Sequence, residues 1–176
     1  MDRDRASAIA KECGFTNHGF FEVKELRFLE QVRDMCAADR CQSYDKNWSC
    51  PPACGTIDEI KEKAKHYNWG IVLQVTGDME DDFDVEAMMG NEQKLKDNLV
   101  KFCEKTTGED MLPMSAGTCH ICKECTYPDA PCRFPERMLT SMEAYGLVVS
   151  EVCEISNIPY YYGPKTITYT GCALFV

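Results

Sequence analysis

The sequence lacks both an excess of positive charge and any long apolar run. Its 176 residues include 19 lysines and arginines against 29 aspartates and glutamates, which gives a formal net charge of −10. Nucleic acids and anionic membranes attract basic patches, because their own surfaces are negatively charged. Apolar runs such as Trp69–Val75 fall far short of the ~20 residues that span a bilayer. We therefore expect neither nucleic acid nor a membrane as a partner.

Several familiar motifs are absent as well. Met1–Arg5 is rich in charge and leads into no apolar segment, so we expect no secretory signal and a cytoplasmic location. The chain has no P-loop and no G-x-G-x-x-G fingerprint, the glycine patterns that mark nucleotide and dinucleotide binding. It also has no C-x3-C-x2-C triplet, which we would require for radical S-adenosylmethionine chemistry.

Cysteine, in contrast, is abundant. Twelve cysteines in 176 residues, about 7 %, fall a little below the roughly 8–10 % of short disulfide scaffolds. Six disulfides are arithmetically possible, but a reducing cytoplasm keeps thiols free. Eight of the twelve fall into two groups of four, while the other four stand alone and match no motif: Cys13, Cys103, Cys153 and Cys172.

The second cysteine group is the more diagnostic of the two. It reads Cys119-x2-Cys122-x2-Cys125-x6-Cys132, close to the C-x2-C-x2-C-x3-C-P run of bacterial ferredoxins but with a longer last gap. Zinc sites instead favour two pairs of ligands separated by a longer loop. The spacing therefore favours a [4Fe-4S] cluster, with zinc as the alternative.

The first cysteine group has a spacing that is not specific to any one type of iron–sulfur cluster. It reads Cys36-x4-Cys41-x8-Cys50-x3-Cys54 and runs through a stretch that contains Pro51-Pro52. Buried apolar cysteines are the competing interpretation, and it suits Cys36, which lies on a helical stripe. The other three lie in polar, loop-like sequence, so we predict that this group also binds a metal and that the chain holds one or two clusters.

Helical and strand patterns alternate irregularly along the chain. Apolar residues spaced by three and four, capping residues and first-turn prolines predict helices, whereas short apolar runs predict strands. The predicted helices are 6–11, 22–38, one that begins at Thr56, 86–105 and 135–146. The predicted strands are 69–75, 111–116, 147–153 and 167–175. We expect an α/β (mixed α+β) fold, with residues 1–176 forming a single compact domain that carries two cysteine-rich metal-binding loops.

Each cysteine group ends just before a predicted helix. Cys54 precedes the capping residue Thr56 by two positions, and Cys132 precedes Pro135 by three. A cluster with four thiolates carries net negative charge, and the positive end of a helix dipole stabilises an anion. Arg40 and Arg133, each next to a candidate ligand, either add compensation or are plain surface charges. His120, between two candidate ligands, is expected to point away or to hydrogen-bond locally.

Three segments resemble a known family. They are Tyr44–Pro52, Gly117–Cys125 with Pro131–Glu136, and Ser141–Gly146. Their motifs resemble a cysteine-rich family of unknown function whose members, from anaerobes and methanogens, are labelled predicted metal-binding proteins. The resemblance covers about residues 36–175 and implies metal binding by the cysteines of both groups, without supplying a reaction.

Three classes of function remain open from the sequence. The first is electron transfer, or redox support of a partner enzyme in anaerobic metabolism, which an acidic surface suits because it docks on basic patches of a redox partner protein. The second is a cluster-dependent enzyme with one iron open to substrate. The third is a binding module that zinc stabilises. The identity of the metal separates the third class from the first two.

Overall fold

The computed structural model describes all residues 1–176 and contains one five-stranded sheet with helices on both faces. The strands are β1 (Asn17–Glu22), β2 (Trp69–Asp78), β3 (Met111–Ser115), β4 (Thr140–Ser141) and β5 (Thr166–Phe175). The helices are α1 (Arg3–Cys13), α2 (Glu30–Ala37), α3 (Ile57–Ala64), α4 (Val85–Lys105) and α5 (Val149–Ile155). The predicted mixed α/β fold is thereby confirmed.

The sheet has the strand order β1-β2-β5-β3-β4. Every neighbouring pair is antiparallel except β3 and β4, which are parallel. The long pair β2 and β5 lies at the centre, with Trp69 opposite Phe175 and Asp78 opposite Thr166. Ile71–Val75 of β2 are all buried, as expected for a strand covered on both faces.

Alternate side chains of the central strands enter two separate cores. On one face Ile71, Leu73 and Val75 pack with apolar residues of α1 and α4, including Leu95, Leu99 and Phe102. On the other face Val72 and Leu174 pack with residues of α3, α5 and the segment before α5. This second core lies against the loop before α3, since partly buried Cys54 packs against it, whereas Ile121 of the second cysteine group packs against the first core.

The local signals for α3 and α4 are confirmed. Thr56 and Glu59 form a reciprocal capping box at the start of α3, which satisfies two backbone amides that a helix end otherwise leaves free. Asp84 caps α4 by accepting a hydrogen bond from the Ala87 amide at 2.9 Å. None of the helices combines the length and the apolar content that a membrane span needs.

The predicted helix 22–38 is wrong in its first half. Glu22 ends β1, where it pairs with Trp69, and a short 3-10 turn follows over Val23–Glu25. The helix begins only at Glu30, because the amide of Leu29 donates to the carbonyl of Gly146 at 2.8 Å and fixes an extended backbone there. Tertiary contacts therefore override the helical spacing of the apolar residues.

The prediction for residues 135–153 is wrong in both halves: the predicted helix 135–146 contains a short strand, and the predicted strand 147–153 contains a helix. Only Pro135–Arg137 form a 3-10 turn, and Thr140–Ser141 then pair with Met114–Ser115 as a strand. The predicted strand 147–153 is instead helix α5, which buries Val152 and Cys153 on one side. Valine and leucine are common in strands, but here their burial against the sheet on one side only suits a helix.

Candidate metal centre

The second cysteine group surrounds a single cavity. All four of its cysteines line a space of about 340 Å³ in the loop between β3 and β4. The same cavity is bounded by Trp48, Ile121, Phe134 and Met138, so that apolar side chains flank the thiols. Each of the four cysteines is partly buried. The irregular loop thus brings together thiols that the sequence spreads over fourteen residues.

Two lysines line this cavity, although the protein as a whole is acidic. Apart from the thiols, the charged side chains that line it are Lys46 and Lys123. Lys46 also pairs with Asp39 at 2.9 Å. Arg133 lies on the same loop and donates a hydrogen bond to the carbonyl of Glu124 at 2.7 Å. Lysine side chains therefore form part of the wall of the cavity that the four cysteines line.

The first cysteine group is assembled from three places in the chain. Cys36 lies in the last turn of α2, Cys50 and Cys54 lie in the loop before α3, and Cys41 lies between them. Cys50 is buried and Cys41 is exposed, whereas the other two are partly buried. The thiol of Cys54 contacts the carbonyl oxygen of Ala144 at 3.8 Å.

Burial and neighbouring charges raise the pKa values of thiols in the first group. Burial raises the pKa of Cys36, and Glu143, Cys41 and Cys50 raise it further. Burial also raises the pKa of Cys54 to about 11, although nearby Arg33 opposes that shift. As free thiols these groups are therefore protonated at neutral pH. A bound cation stabilises the thiolate form and reverses this preference.

The two cysteine groups adjoin each other. The amide of Cys119 donates to the hydroxyl of Ser49 at 3.1 Å, and the hydroxyl of Thr118 donates to that of Ser43 at 2.9 Å. Burial raises the pKa of Cys50, and the thiol of Cys119 contributes a smaller increase. These contacts place the two cysteine groups next to each other in the folded chain.

Aromatic contacts join the same two loops farther out. The indole Nε1 of Trp48 donates to the carbonyl of Ala130 at 3.0 Å. Its ring meets that of Tyr127 edge-on, with 4.9 Å between centroids, and the Tyr127 hydroxyl donates to the carboxylate of Asp45. The two loops therefore pack as one unit.

The cysteine side chains of the two groups are not arranged around a single common point. No group of three or more histidine, cysteine, aspartate or glutamate side chains has the arrangement that holds a single metal ion. Four soft thiols around one cavity with positive lining fit an anionic cluster, in which each thiolate binds a different iron. The donor set therefore fits an iron–sulfur cluster, while ligation by each of the eight cysteines stays a prediction.

The prediction that both groups end at a helix N-terminus holds for one of them. Cys54 lies just before the N-cap Thr56 of α3. Cys132 precedes only the three-residue 3-10 turn at Pro135–Arg137, because the chain then pairs with β3 as a strand. The second group therefore has no α-helix N-terminus beside it, and the charged side chains that line its cavity are Lys46 and Lys123.

The four isolated cysteines lie in or beside the cores. Cys13, Cys153 and Cys172 are buried, and Cys103 is partly buried. Burial raises the pKa of Cys103 to about 12 and raises that of Cys172 well beyond its ordinary range. All twelve cysteines are free of disulfides.

His120 faces helix α4. Its Nε2 lies 3.7 Å from the Asp97 carboxylate, and it is not among the residues that line the cavity of the second group. Burial, with help from Lys96, lowers the pKa of His120. The expectation that its side chain points away from the thiols is confirmed.

Four residues that sequence reasoning did not single out help to build the centre. They are Ser49 and Thr118, which join the loops, and Lys46 and Lys123, which line the cavity. Two signals were available: all four lie in the segments that carry the family resemblance, Tyr44–Pro52 and Gly117–Cys125, and three of them adjoin a cysteine. Nothing in the spacing indicates which neighbouring side chains face the thiols.

Comparison with known proteins identifies one family. The model of a family described as "Predicted metal-binding protein (DUF2284)" matches residues 19–175. No curated protein and no solved structure matches the chain.

Proposed function

The chain belongs to the DUF2284 family of predicted metal-binding proteins, and from that premise we propose that it is an iron–sulfur protein that exchanges electrons with a partner enzyme. One observation carries the proposal: the four cysteines of the second group line one cavity. A cluster bound there would supply a one-electron couple. The cysteines would bind it, the apolar side chains of the cavity would shield it from water, and the two lysines would place positive charge beside it.

The choice of iron–sulfur over zinc rests on spacing and charge. Three thiols at intervals of three residues suit separate corners of a cube, as in ferredoxins. Lys46 and Lys123 line the cavity in a protein of net charge −10. A cluster with four thiolates is anionic, so that cations at its wall lower the cost of placing it inside an acidic protein.

Electron transfer is supported by the neighbouring first group. Cys50 and Cys119 interact across the contact between the loops, so a second centre there would lie close to the first. The acidic surface suits docking to a basic patch on a redox partner, because charge complementarity steers association. A reducing cytoplasm, where free thiols persist, is the compartment that we propose.

The experiment is purification without oxygen, followed by iron, acid-labile sulfide and zinc analysis. We expect a brown protein with a broad visible charge-transfer band and with iron and sulfide in equal amounts. A colourless protein that holds stoichiometric zinc, from iron-replete cells, would show a zinc-stabilised module instead. A cluster whose spectrum changes when a small molecule binds would favour an enzyme with an open iron.

Paired substitutions separate ligands from packing cysteines. Cys122→Ser and Cys125→Ser should each remove iron from the second group. Cys103→Ser is the matched control, because this thiol lies beside a core and outside the cavity of the second group. Equal iron loss in Cys103→Ser and Cys122→Ser would contradict the assignment of the ligands.

A further inference from the structure

An apolar patch lies at the start of α4. Phe83 is 86 % exposed, the largest exposed fraction among the large apolar side chains of the protein, and Val85 and Met89 are 59 % and 67 % exposed. Val85 and Met89 are four residues apart in α4, so they lie on one face of the helix. We call these three side chains the α4 patch. Exposed apolar side chains that cluster within a polar surround are typical of protein interaction sites.

The backbone that carries the patch is fixed by hydrogen bonds. The carboxylate of Asp84 accepts from the amides of Glu80 and Ala87, each at 2.9 Å. The amide of Phe83 donates to the carboxylate of Asp81 at 2.8 Å. The exposed ring of Phe83 therefore projects from an ordered turn. A partner that binds such a preorganised segment loses little of its binding energy to ordering the chain.

The patch is bordered by the most acidic segment of the protein. Residues 78–86 contain six carboxylates and no basic side chain, whereas the whole chain has a net charge of −10. None of the six carboxylates belongs to an ion pair. Because like charges repel, this surround disfavours a second copy of the chain, a nucleic acid or an anionic membrane as the occupant. It is complementary to a basic protein surface.

The α4 patch lies near the second cysteine group. Met89 precedes Glu92 by three residues in α4, which is about 4.5 Å along the helix axis. A Cβ at Gly117 would lie 2.8 Å from Oε1 of Glu92, so that Glu92 packs on the backbone two positions before Cys119. A protein that binds the patch is thereby placed beside the loop of the second group.

We propose that the α4 patch is the docking surface for a basic partner protein, whose apolar pocket receives Phe83 and whose lysines or arginines face the surrounding carboxylates. This inference rests on the proposed function only in taking that protein to be the redox partner. The buried aromatic side chain supplies most of the binding energy, and the charged surround steers association. The wall of the cysteine cavity carries Lys46 and Lys123, so it suits a basic partner less well than the patch does.

The test uses a probe of defined chemistry, a fluorescently labelled amphipathic peptide whose helix has lysines around a face of leucines. The peptide is titrated into the full chain, purified without oxygen, and fluorescence anisotropy gives the affinity. Hydrogen exchange with mass spectrometry gives the position of the bound peptide. We expect protection within residues 78–92.

Two variant pairs test the patch and its charge separately. Met89→Ala is matched by Met35→Ala, because Met35 is 73 % exposed on α2. Glu80→Gln is matched by Glu154→Gln, since both glutamates are exposed and neither belongs to an ion pair. Phe83→Ala removes the proposed anchor. These side chains lie on the surface, where substitutions change stability little, and circular dichroism checks the fold of each variant.

We expect Phe83→Ala to weaken peptide binding by about tenfold or more, as for the loss of a central aromatic anchor. Met89→Ala should weaken it by about threefold, and Met35→Ala should match the wild type. Glu80→Gln should weaken binding at about 10 mM salt and not at about 300 mM, because salt screens exposed charges. Glu154→Gln should have no effect at either concentration.

Four results would overturn the proposal. They are failure of the peptide to bind the wild-type chain, protection outside residues 78–92, unchanged affinity in Phe83→Ala, and equal losses within either matched pair. The iron–sulfur function is decided separately by iron and sulfide analysis of the same samples. A chain without a cluster that still binds the peptide at the patch would reject the redox assignment and keep the docking surface, whereas a chain with a cluster that fails these binding tests would reject the docking surface alone.

Discussion

The amide of Cys119 donates a hydrogen bond to the hydroxyl of Ser49 at 3.1 Å, which joins two loops whose contacting residues are 70 positions apart. Ser49 is buried, and its hydroxyl in turn donates to the side-chain oxygen of Asn47 at 2.6 Å. One serine therefore links the loop before α3 to the first thiol of the second group. The two cysteine groups are thus joined by a direct hydrogen bond.

Substitution of this serine tests the link. Ser49→Ala leaves the partly buried amide of Cys119 without its partner, and the loss of a partner costs up to ~1–3 kcal/mol for a fully buried donor. We expect a lower free energy of unfolding and a lower metal content, measured by denaturation and elemental analysis. The matched control is Ser156→Ala, because Ser156 is also buried but its hydroxyl donates only within α5, to Val152. A variant Ser49→Ala with full metal content would show that the link is not needed to assemble the centre.

Thiol reactivity should rank the cysteines of the metal-free protein. Only the thiolate is nucleophilic, and burial raises the pKa of Cys103 to about 12 and that of Cys54 to about 11. Cys41 is the exposed cysteine. Mass spectrometry after brief alkylation at pH 8 should find Cys41 modified first and Cys172 last. Early modification of Cys172 in folded protein would contradict its burial in the core.

Two adjoining clusters should not be reduced independently. At a separation of ~12 Å and an effective dielectric constant of about 20, two unit charges repel by roughly 1.4 kcal/mol. For a one-electron couple this is about 60 mV. A redox titration should therefore show two coupled steps, and the fully reduced protein should give a magnetically interacting EPR spectrum. Two non-interacting signals would show two clusters too far apart to couple, and iron for one cluster only would leave one cysteine group without a cluster.

The capping box of α3 should make stability depend on pH. The hydrogen bonds from the backbone amide and the hydroxyl of Thr56 hold the pKa of Glu59 below its ordinary value of 4.5. Because the folded-state pKa is the lower one, this contribution is fully present above pH 4.5 and is lost as the pH falls through the lowered value. Glu59→Gln should flatten the acid limb of the stability curve, measured by thermal unfolding between pH 3 and 6.

The adjoining N-cap can be tested at neutral pH. Thr56→Ala should cost ~1 kcal/mol, the usual effect of losing such a cap. The same substitution at another threonine, Thr16→Ala, cannot serve as the control, because the Thr16 hydroxyl donates a hydrogen bond to a carbonyl of β2 and its loss would affect the sheet. Lys61→Ala, on the exposed side of the same helix, serves better and should change stability little. An unchanged free energy of unfolding in Thr56→Ala would mean that tertiary packing alone holds the start of α3.

Local patterns in the sequence predicted much of the fold. The apolar run at 69–75, the spacing of Leu95, Leu99 and Phe102, and the box Thr56–Glu59 each report on interactions within one segment. The structure confirms all three as β2, α4 and the start of α3. The grouping of eight cysteines is likewise a local pattern, and it led to the same description, metal binding, that the family carries.

Local patterns were misleading where distant contacts decide. The spacing of Met138, Met142 and Tyr145 is helical, but Thr140–Ser141 gain partners by pairing with β3. The apolar run 147–153 resembles a strand, but it has the sheet on one side only and forms α5. In both segments several conformations are acceptable locally, and burial against the rest of the chain selects one of them.

The sequence by itself determined that the chain carries two sets of four thiols and which of its strongest helices and strands form, because those depend on residues a few positions apart. Only the tertiary structure decided that the two sets adjoin at Ser49 and Cys119 and that Lys46 and Lys123 line the cavity of the second group. These relationships depend on contacts between separate segments, and the one between Ser49 and Cys119 joins residues 70 positions apart. Spacing along the chain carries no information about them, because they are fixed by the packing of loops on a common core.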